Sequence, residues 1–248
     1  MMVSLVVLSS MAVGMAEREL PRRIDFTVKD HATQEIRFVG DELITVEGPL
    51  VKKVTSYRKA GAGSEDPKAT AQEETVVYRG DTLETVSYRL NNFLTGEMAE
   101  VGAAPDSPTD SKASETYALR YVPSKGAKEL KGNLKKSSQL LSGKVLHHVI
   151  VRNWQDLRID KPAAFDLLVP FKLDSFRFQV AKVSESAAQL ILRLQPDSWL
   201  IRKFVQPMDF FYVHEQGANQ RLVRYEGPTT IDAYGNPDWK VTIEFSQQ

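Results

Sequence analysis

The stretch RLVRYEGPTTIDAYGNPDWKVTIEF, residues 221–245, predicts two β-strands joined by a turn. In its second strand Val241, Ile243 and Phe245 alternate with polar residues, so the three apolar side chains share one face. Residues 234–237 (YGNP) are of the types that favour a tight reversal. An apolar face of this kind turns towards an interior, which is either a packed core or a ligand cavity.

The same alternation recurs along the chain. Segments 23–30 (RIDFTVKD), 174–183 (DSFRFQVAKV) and 187–196 (AAQLILRLQP) predict strands, and segment 209–227 predicts a hairpin that turns at 215–219. In segment 35–48 we expect a hairpin turn at the Gly-Asp pair. Short strands at this spacing predict a mainly β (α+β) fold, an antiparallel curled sheet or unclosed β-barrel with one or two helices.

Two segments depart from the strand pattern. Segment 137–157 (SSQLLSGKVLHHVIVRNWQDL) has apolar residues at helical spacing and predicts a helix capped by Ser137 or Ser138. A strand through the β-branched residues of 144–151 is the alternative. Segment 196–207 predicts a short helical turn before the chain returns to strand.

The N-terminus predicts export. Val3 to Met15 is an apolar run too short to span a bilayer, and Ala16 ends a small-residue cleavage pattern. We therefore expect a signal peptide over 1–16 and a periplasmic or secreted protein; a buried N-terminal strand or helix is the alternative. Residues 17–248 are predicted to form a single β-rich domain, with exposed loops near 61–74 and 102–114.

Composition excludes several classes of function. Lys plus Arg and Asp plus Glu both total 32, so the chain lacks the basic excess that nucleic-acid binding requires. The absence of cysteine excludes disulfides, thiolate catalysis and Cys-ligated metals. No later segment reaches 18 uninterrupted apolar residues. We expect a monomer without a transmembrane span and without a nucleic-acid partner.

No motif in the chain names a reaction. The sequence has no nucleophile elbow, zincin motif, P-loop or dinucleotide-binding glycine pattern. Of the four histidines, His147 and His148 are adjacent and point in different directions, while His31 and His214 lie far apart. We therefore predict no catalytic residues, no metal site and no cofactor.

Aromatic residues are concentrated in the last third of the chain. They either fill a β-barrel core or line an apolar cavity open at one end. Phe210 and Phe211 are neighbours on a predicted strand, so only one of them can face the interior. If a cavity exists, its predicted ligand-binding residues are Phe176, Phe178, Trp199, Phe204 and Phe211.

The order of these elements, with the strands of 221–245 at the end, resembles the periplasmic lipoprotein-carrier family, the LolA/LolB-like proteins. The resemblance implies an unclosed β-barrel whose helices cover an apolar cavity for acyl chains. The carrier LolB is itself a lipoprotein, whereas this chain has no cysteine to carry a lipid. The resemblance transfers no functional residue, and exported proteins of unknown function share this architecture.

The sequence leaves three functions open. The leading one is non-catalytic binding of a hydrophobic or lipid-like ligand in a β half-barrel. The alternative is a structural or interaction module with a filled core, which binds a protein partner through edge strands or loops. The third is an enzyme that uses loop carboxylates or histidines.

Overall fold

Alternating apolar residues form strands over most of the chain, as the computed structural model shows. It describes residues 23–62, 69–103, 116–137, 140–203, 205–229 without 215–219, 231 and 239–247. The predicted signal peptide, the residue Phe204 and the predicted turns at 215–219 and 234–237 lie outside the described residues. So do residues 63–68 of the predicted loop near 61–74 and residues 104–114 of the predicted loop near 102–114.

The first eight strands run in chain order before the helical segment. They are β1 (Arg23–Asp30), β2 (Ile36–Glu47), β3 (Leu50–Lys59), β4 (Thr70–Arg79), β5 (Thr85–Asn92), β6 (Met98–Ala103), β7 (Thr116–Val122) and β8 (Leu130–Lys135). Each pairs antiparallel with the next, and we call this unit the N-terminal meander. Because β4 begins at Thr70, the end of the first predicted loop is strand.

The second half of the chain forms a similar unit. Its strands are β9 (Leu140–Leu141), β10 (Ala163–Val169), β11 (Asp174–Glu185), β12 (Gln189–Pro196), β13 (Met208–His214), β14 (Gln220–Pro228) and β15 (Lys240–Gln247). We call it the C-terminal meander. Its pairs are antiparallel except for the short parallel pair of β9 with β10.

The two meanders join through the first and last strands. β1 pairs antiparallel with β15, Phe26 opposite Phe245 and Val28 opposite Ile243. The described residues therefore form one curled antiparallel sheet of 15 strands, ordered β8 to β1 and then β15 to β9. The sheet stays unclosed, although a Cβ on Gly132 of β8 would lie only 3.1 Å from the Cβ of Leu173, beyond β10. The predicted fold class is confirmed.

The predicted helix in segment 137–157 is confirmed, with a later start. A 3-10 turn at Gly143–Val145 leads into α1 (Leu146–Arg152) and α2 (Trp154–Arg158). Ser142 caps the turn in place of the predicted Ser137, because its side chain accepts a hydrogen bond from the Lys144 amide. The other predicted cap, Ser138, lies outside the described residues. The predicted helical turn near 196–207 is α3 (Trp199–Arg202). No helix in the described parts of the chain is long and apolar enough to cross a membrane.

The main core lies between the helices and the concave face of the sheet. Ile150 and Leu157 of the helices are fully buried with strand residues of both meanders, such as Val76 and Leu192. A second, smaller cluster packs Phe26, Val28 and other residues at the seam of β1 and β15. The helices thus occupy the hollow that the curled sheet creates.

The expected hairpin turn at Gly40 is wrong, because β2 continues through this residue. A Cβ on Gly40 would lie 2.3 Å from the backbone oxygen of Ser56 and 2.4 Å from a ring carbon of Phe26. The glycine therefore allows the Phe26 ring to cross the strand, and it does not mark a reversal.

Candidate functional site

A partly open cavity of about 520 Å³ lies inside the curled sheet. Strands of both meanders line it, together with the 3-10 turn and the first residues of α1. Much of the wall is apolar, and the residues that form it include Phe26, Leu146, Leu167, Leu168, Met208, Phe210, Leu222, Tyr225, Ile243 and Phe245. The apolar face of β15 thus borders an interior that is not completely filled.

One part of the wall is polar. It consists of side chains from β2 to β5, from the turn before α1 and from the start of α1, and we call it the polar floor. Its members are Glu42, Lys53, Tyr57, Glu74, Tyr88, Ser142, Lys144 and His147.

Strand alternation in β3 places two of these residues, Lys53 and Tyr57, inside. In β3 the buried side chains are Val51, Lys53, Thr55 and Tyr57, at every second position. Lys53 therefore points inward because it shares the pleat of the buried Val51 and Tyr57.

The turn before α1 supplies Lys144. The Ser142 amide donates a hydrogen bond of 2.8 Å to the hydroxyl of Thr85, which fixes the turn to β5. The Lys144 backbone oxygen accepts a hydrogen bond of 3.1 Å from the ammonium group of Lys53. The turn and the N-terminal meander thus hold each other in place at the polar floor.

Two ion pairs cross the polar floor. The Lys53 ammonium lies 2.6 Å from Glu42 Oε2, and the Lys144 ammonium lies 3.0 Å from Glu74 Oε1. Lys144 also donates to the hydroxyl of Tyr57 at 2.8 Å, and the hydroxyl of Tyr88 donates to Glu74 at 2.9 Å. Buried charges are stable only when they are paired and hydrogen-bonded, and these four side chains meet both conditions.

The pKa values follow from this pairing. Burial disfavours the charge on Glu42, but Lys53 and Lys144 outweigh burial and hold its pKa below the usual value. Burial likewise opposes the charge on Lys144, and Glu74 and Tyr57 raise its pKa. Burial raises the pKa of Tyr57. These groups keep one protonation state around neutral pH.

The two adjacent histidines are directed to different partners. His147 Nδ1 lies 2.9 Å from the hydroxyl of Tyr212, whereas His148 Nε2 lies 3.3 Å from the hydroxyl of Tyr78. Burial and the charge of Lys53 lower the pKa of His147 to about 4, so its ring is neutral at neutral pH. Within the described residues, no group of three His, Asp or Glu side chains is arranged to hold a metal ion.

Three of the predicted ligand-binding residues do not line this cavity. Phe178 is buried in the main core opposite Phe165, and Phe176 is half-buried against the same core. Trp199 is 68% exposed on α3. None of the three is among the residues that line the cavity. Their binding of a ligand stays a prediction, and Phe204 lies in the undescribed part.

Phe210 and Phe211 show how the strand divides its aromatic residues. Phe210 lines the cavity, whereas Phe211 does not. The guanidinium carbon of Arg224 lies 3.9 Å from the ring centroid of Phe211. The two phenylalanines occupy opposite faces of β13, as the alternation predicted, and the inward one is Phe210.

Sequence reasoning missed the polar floor. Lys53 and Glu74 are charged residues within strands, and most charged residues in strands face solvent. The available signal was positional: Lys53 lies two residues from Val51 and from Thr55, and the same face continues to Tyr57. Its partners come from other segments, so the pattern of β3 alone does not reveal them.

The chain was also compared with known proteins. Family models, curated proteins and solved structures gave no match.

Proposed function

We propose that this protein binds a lipid-like ligand in its cavity without changing it chemically. The observation that carries the proposal is the combination of an apolar wall with one polar floor inside a partly open cavity. Its volume of about 520 Å³ lies within the range of about 300–1,000 Å³ typical of ligand pockets. An apolar chain with a single polar head is the ligand type that complements such a wall.

The pKa values of the polar floor favour binding over catalysis. A general acid or base works best when its pKa lies near the working pH. Here the pKa of His147 falls to about 4, and the pKa values of Tyr57 and Lys144 rise above their usual values. The floor therefore offers fixed hydrogen-bond donors and acceptors instead of a transferable proton.

The alternative, an interaction module, would use the free edges of the sheet. In the described structure those edges are β8 and β9. β8 carries Lys131 and Lys135, and β9 has only two residues. Lysines and short length both discourage addition of a further strand, so the cavity is the better-supported site.

We further propose that the protein is exported, because the N-terminal segment has the apolar run and small-residue ending of a signal peptide. Ligand binding and export are separate proposals. The N-terminal sequence of the mature protein tests the second one, since cleavage after Ala16 would leave Glu17 first.

Native mass spectrometry of protein purified from its own compartment, followed by organic extraction, tests the binding proposal. We expect one apolar molecule per chain. Protein stripped of that molecule is expected to take up the neutral fluorophore N-phenyl-1-naphthylamine. A ligand-free mass together with no uptake of the fluorophore would contradict the proposal.

A matched pair of variants ties binding to the cavity. Phe210 and Phe211 are both 7% exposed and adjacent on β13, but only Phe210 lines the cavity. Phe210→Leu removes apolar contact worth one or two methylene groups, at about 0.8 kcal/mol each, so we expect the dissociation constant to rise about fivefold. Phe211→Leu is the control and should leave it unchanged. An equal effect of both variants would place binding elsewhere.

A further inference from the structure

The polar floor has no net charge. It contains two basic side chains, Lys53 and Lys144, and two acidic side chains, Glu42 and Glu74. Arg221 also borders the cavity, but it lies on β14, outside the floor, and pairs with Val213. The next residue, Leu222, pairs with the buried Tyr212, so we expect strand alternation to direct the Arg221 side chain to the opposite face.

The carboxylates of the polar floor are already hydrogen-bonded. Glu74 accepts from Lys144, from Tyr88 at 2.9 Å and from Gln72 at 2.9 Å. Glu42 accepts from Lys53, and it lies 3.4 Å from the hydroxyl of Thr55. A ligand cation would therefore have to compete with lysines that lie on the same carboxylates.

Hydrogen-bonding capacity remains on the donors. In the described residues Lys144 gives two of its three ammonium protons to Glu74 and Tyr57. His147 uses Nδ1 for Tyr212, and its Nε2 has no hydrogen-bond partner among the described residues. These groups can donate to, or accept from, a small polar head without losing the bonds they already make.

Adding a charged head to this floor costs free energy. A carboxylate would bring a negative charge close to Glu42 and Glu74 in a buried, low-dielectric site, and no unpaired lysine is present among the described floor residues to compensate it. An ammonium head would meet the same penalty from Lys53 and Lys144. An uncharged head loses only hydrogen bonds to water, which the floor can replace.

We therefore infer that the ligand carries an uncharged hydrogen-bonding head, such as a hydroxyl, ester or amide group, on its apolar chain. A monoacylglycerol belongs to this class, and a fatty-acid anion does not. The inference rests on the proposed function, because it names the class of ligand for the same cavity.

Two ligands with the same chain separate these classes. 1-Monomyristoylglycerol and myristate would each displace N-phenyl-1-naphthylamine from the stripped protein at pH 7.5, below their critical micelle concentrations. We expect monomyristoylglycerol to bind at least tenfold more tightly. Myristate binding as tightly or more tightly would overturn the inference and leave the proposed function standing. Binding of neither ligand would count against the proposed function itself.

A change of charge in the floor sharpens the test. Glu42→Gln leaves the floor with one net positive charge, so we expect the affinity ratio to move at least tenfold towards myristate. Glu244→Gln is the control, because Glu244 makes an ion pair of the same 2.6 Å length with Lys29 on the exposed surface. An unchanged ratio in folded Glu42→Gln would overturn the inference. If that variant does not fold, the wild-type ratio decides.

Discussion

The two meanders use the same strand alternation but enclose different interiors. In the N-terminal meander the buried face of β3 carries Lys53 and Thr55 between Val51 and Tyr57. In the C-terminal meander the buried face of β12 carries three leucines and a proline, and Leu192 is fully buried in the main core. In both units strand alternation therefore determines which residues are buried. The contacts across the interior determine whether those buried side chains can be charged or must be apolar.

The helical segment explains the difference between the meanders. Its first turn brings the ammonium group and the backbone oxygen of Lys144 to the N-terminal meander, where they bind Glu74 and Lys53. Later residues, such as Ile150 and Leu157, are apolar and extend the main core. One short segment thus presents a polar end and an apolar body to the same curled sheet.

The largest expected effect comes from breaking the buried ion pair. Lys53→Met leaves Glu42 buried without its nearest cation, and we expect the free energy of unfolding to fall by about 3–5 kcal/mol. Denaturant unfolding measures it. The double variant Lys53→Met/Glu42→Gln removes both charges and should recover much of the loss. If the double variant is as unstable as the single one, the two charges are not coupled.

The corresponding change in the C-terminal meander opens a cavity instead. Leu192→Ala removes a fully buried side chain, so we expect unfolding to require about 2–5 kcal/mol less free energy. No second substitution at a charged position should compensate, because Leu192 is an uncharged residue of the main core. Thermal and denaturant unfolding measure the loss. A loss below about 1 kcal/mol would show that this half of the core is loosely packed.

The pH dependence of stability, which we attribute to the histidines of α1, is an effect of intermediate size. The pKa of His147 is about 4 in the folded protein, below its ordinary value of 6.5, so the unfolded chain takes up this proton first as the pH falls. The contribution of His147 to the free energy of unfolding is fully present above pH 6.5. It decreases as the pH falls towards 4, by up to about 3 kcal/mol in total. Burial lowers the pKa of His148 as well, which adds to the same trend.

His147→Gln checks this origin, because glutamine does not titrate and can still hydrogen-bond to Tyr212. We expect stability to depend less steeply on pH between 6.5 and 5 in the variant, as measured by denaturant unfolding at a series of pH values. Glu42 does not interfere in this range, since its pKa is held below its usual value. An unchanged slope would assign the acid sensitivity to other groups.

The smallest expected effect belongs to the exposed pair on β1 and β15. Lys29 lies 2.6 Å from Glu244, the same distance as in the buried pair, but the Glu244 side chain is 47% exposed. Lys29→Met should change the free energy of unfolding by at most about 1 kcal/mol, and less at high salt. A loss as large as that of Lys53→Met would mean that burial does not distinguish the two pairs.

Local patterns predicted much of the fold. The alternation in 23–30, 174–183 and 187–196 gave strands that the structure contains as β1, β11 and β12. The prediction failed at Gly40, where a glycine typical of turns instead makes room for Phe26 within a strand. Sequence letters alone do not show this, because the ring that needs the space lies on the neighbouring strand.

The candidate site was much less predictable. The concentration of aromatic residues led to the prediction that residues such as Phe178 and Trp199 bind a ligand. In the structure Phe178 is buried in the core and Trp199 is exposed. The cavity instead uses Phe210 and residues from distant strands. An aromatic side chain packs equally well into a core, a cavity wall or a surface, so residue type does not distinguish these places.

The sequence by itself determined the β class, the strand alternation and the exclusion of cysteine chemistry, because each depends on composition or on neighbours within a few residues. Tertiary structure decided the pairing of β1 with β15, the inward position of Lys53 and the meeting of Lys144 with Glu74. Those features depend on residues far apart in the chain. The free energy of a buried charge is set by the partner that folding brings to it, and not by its own neighbours in sequence.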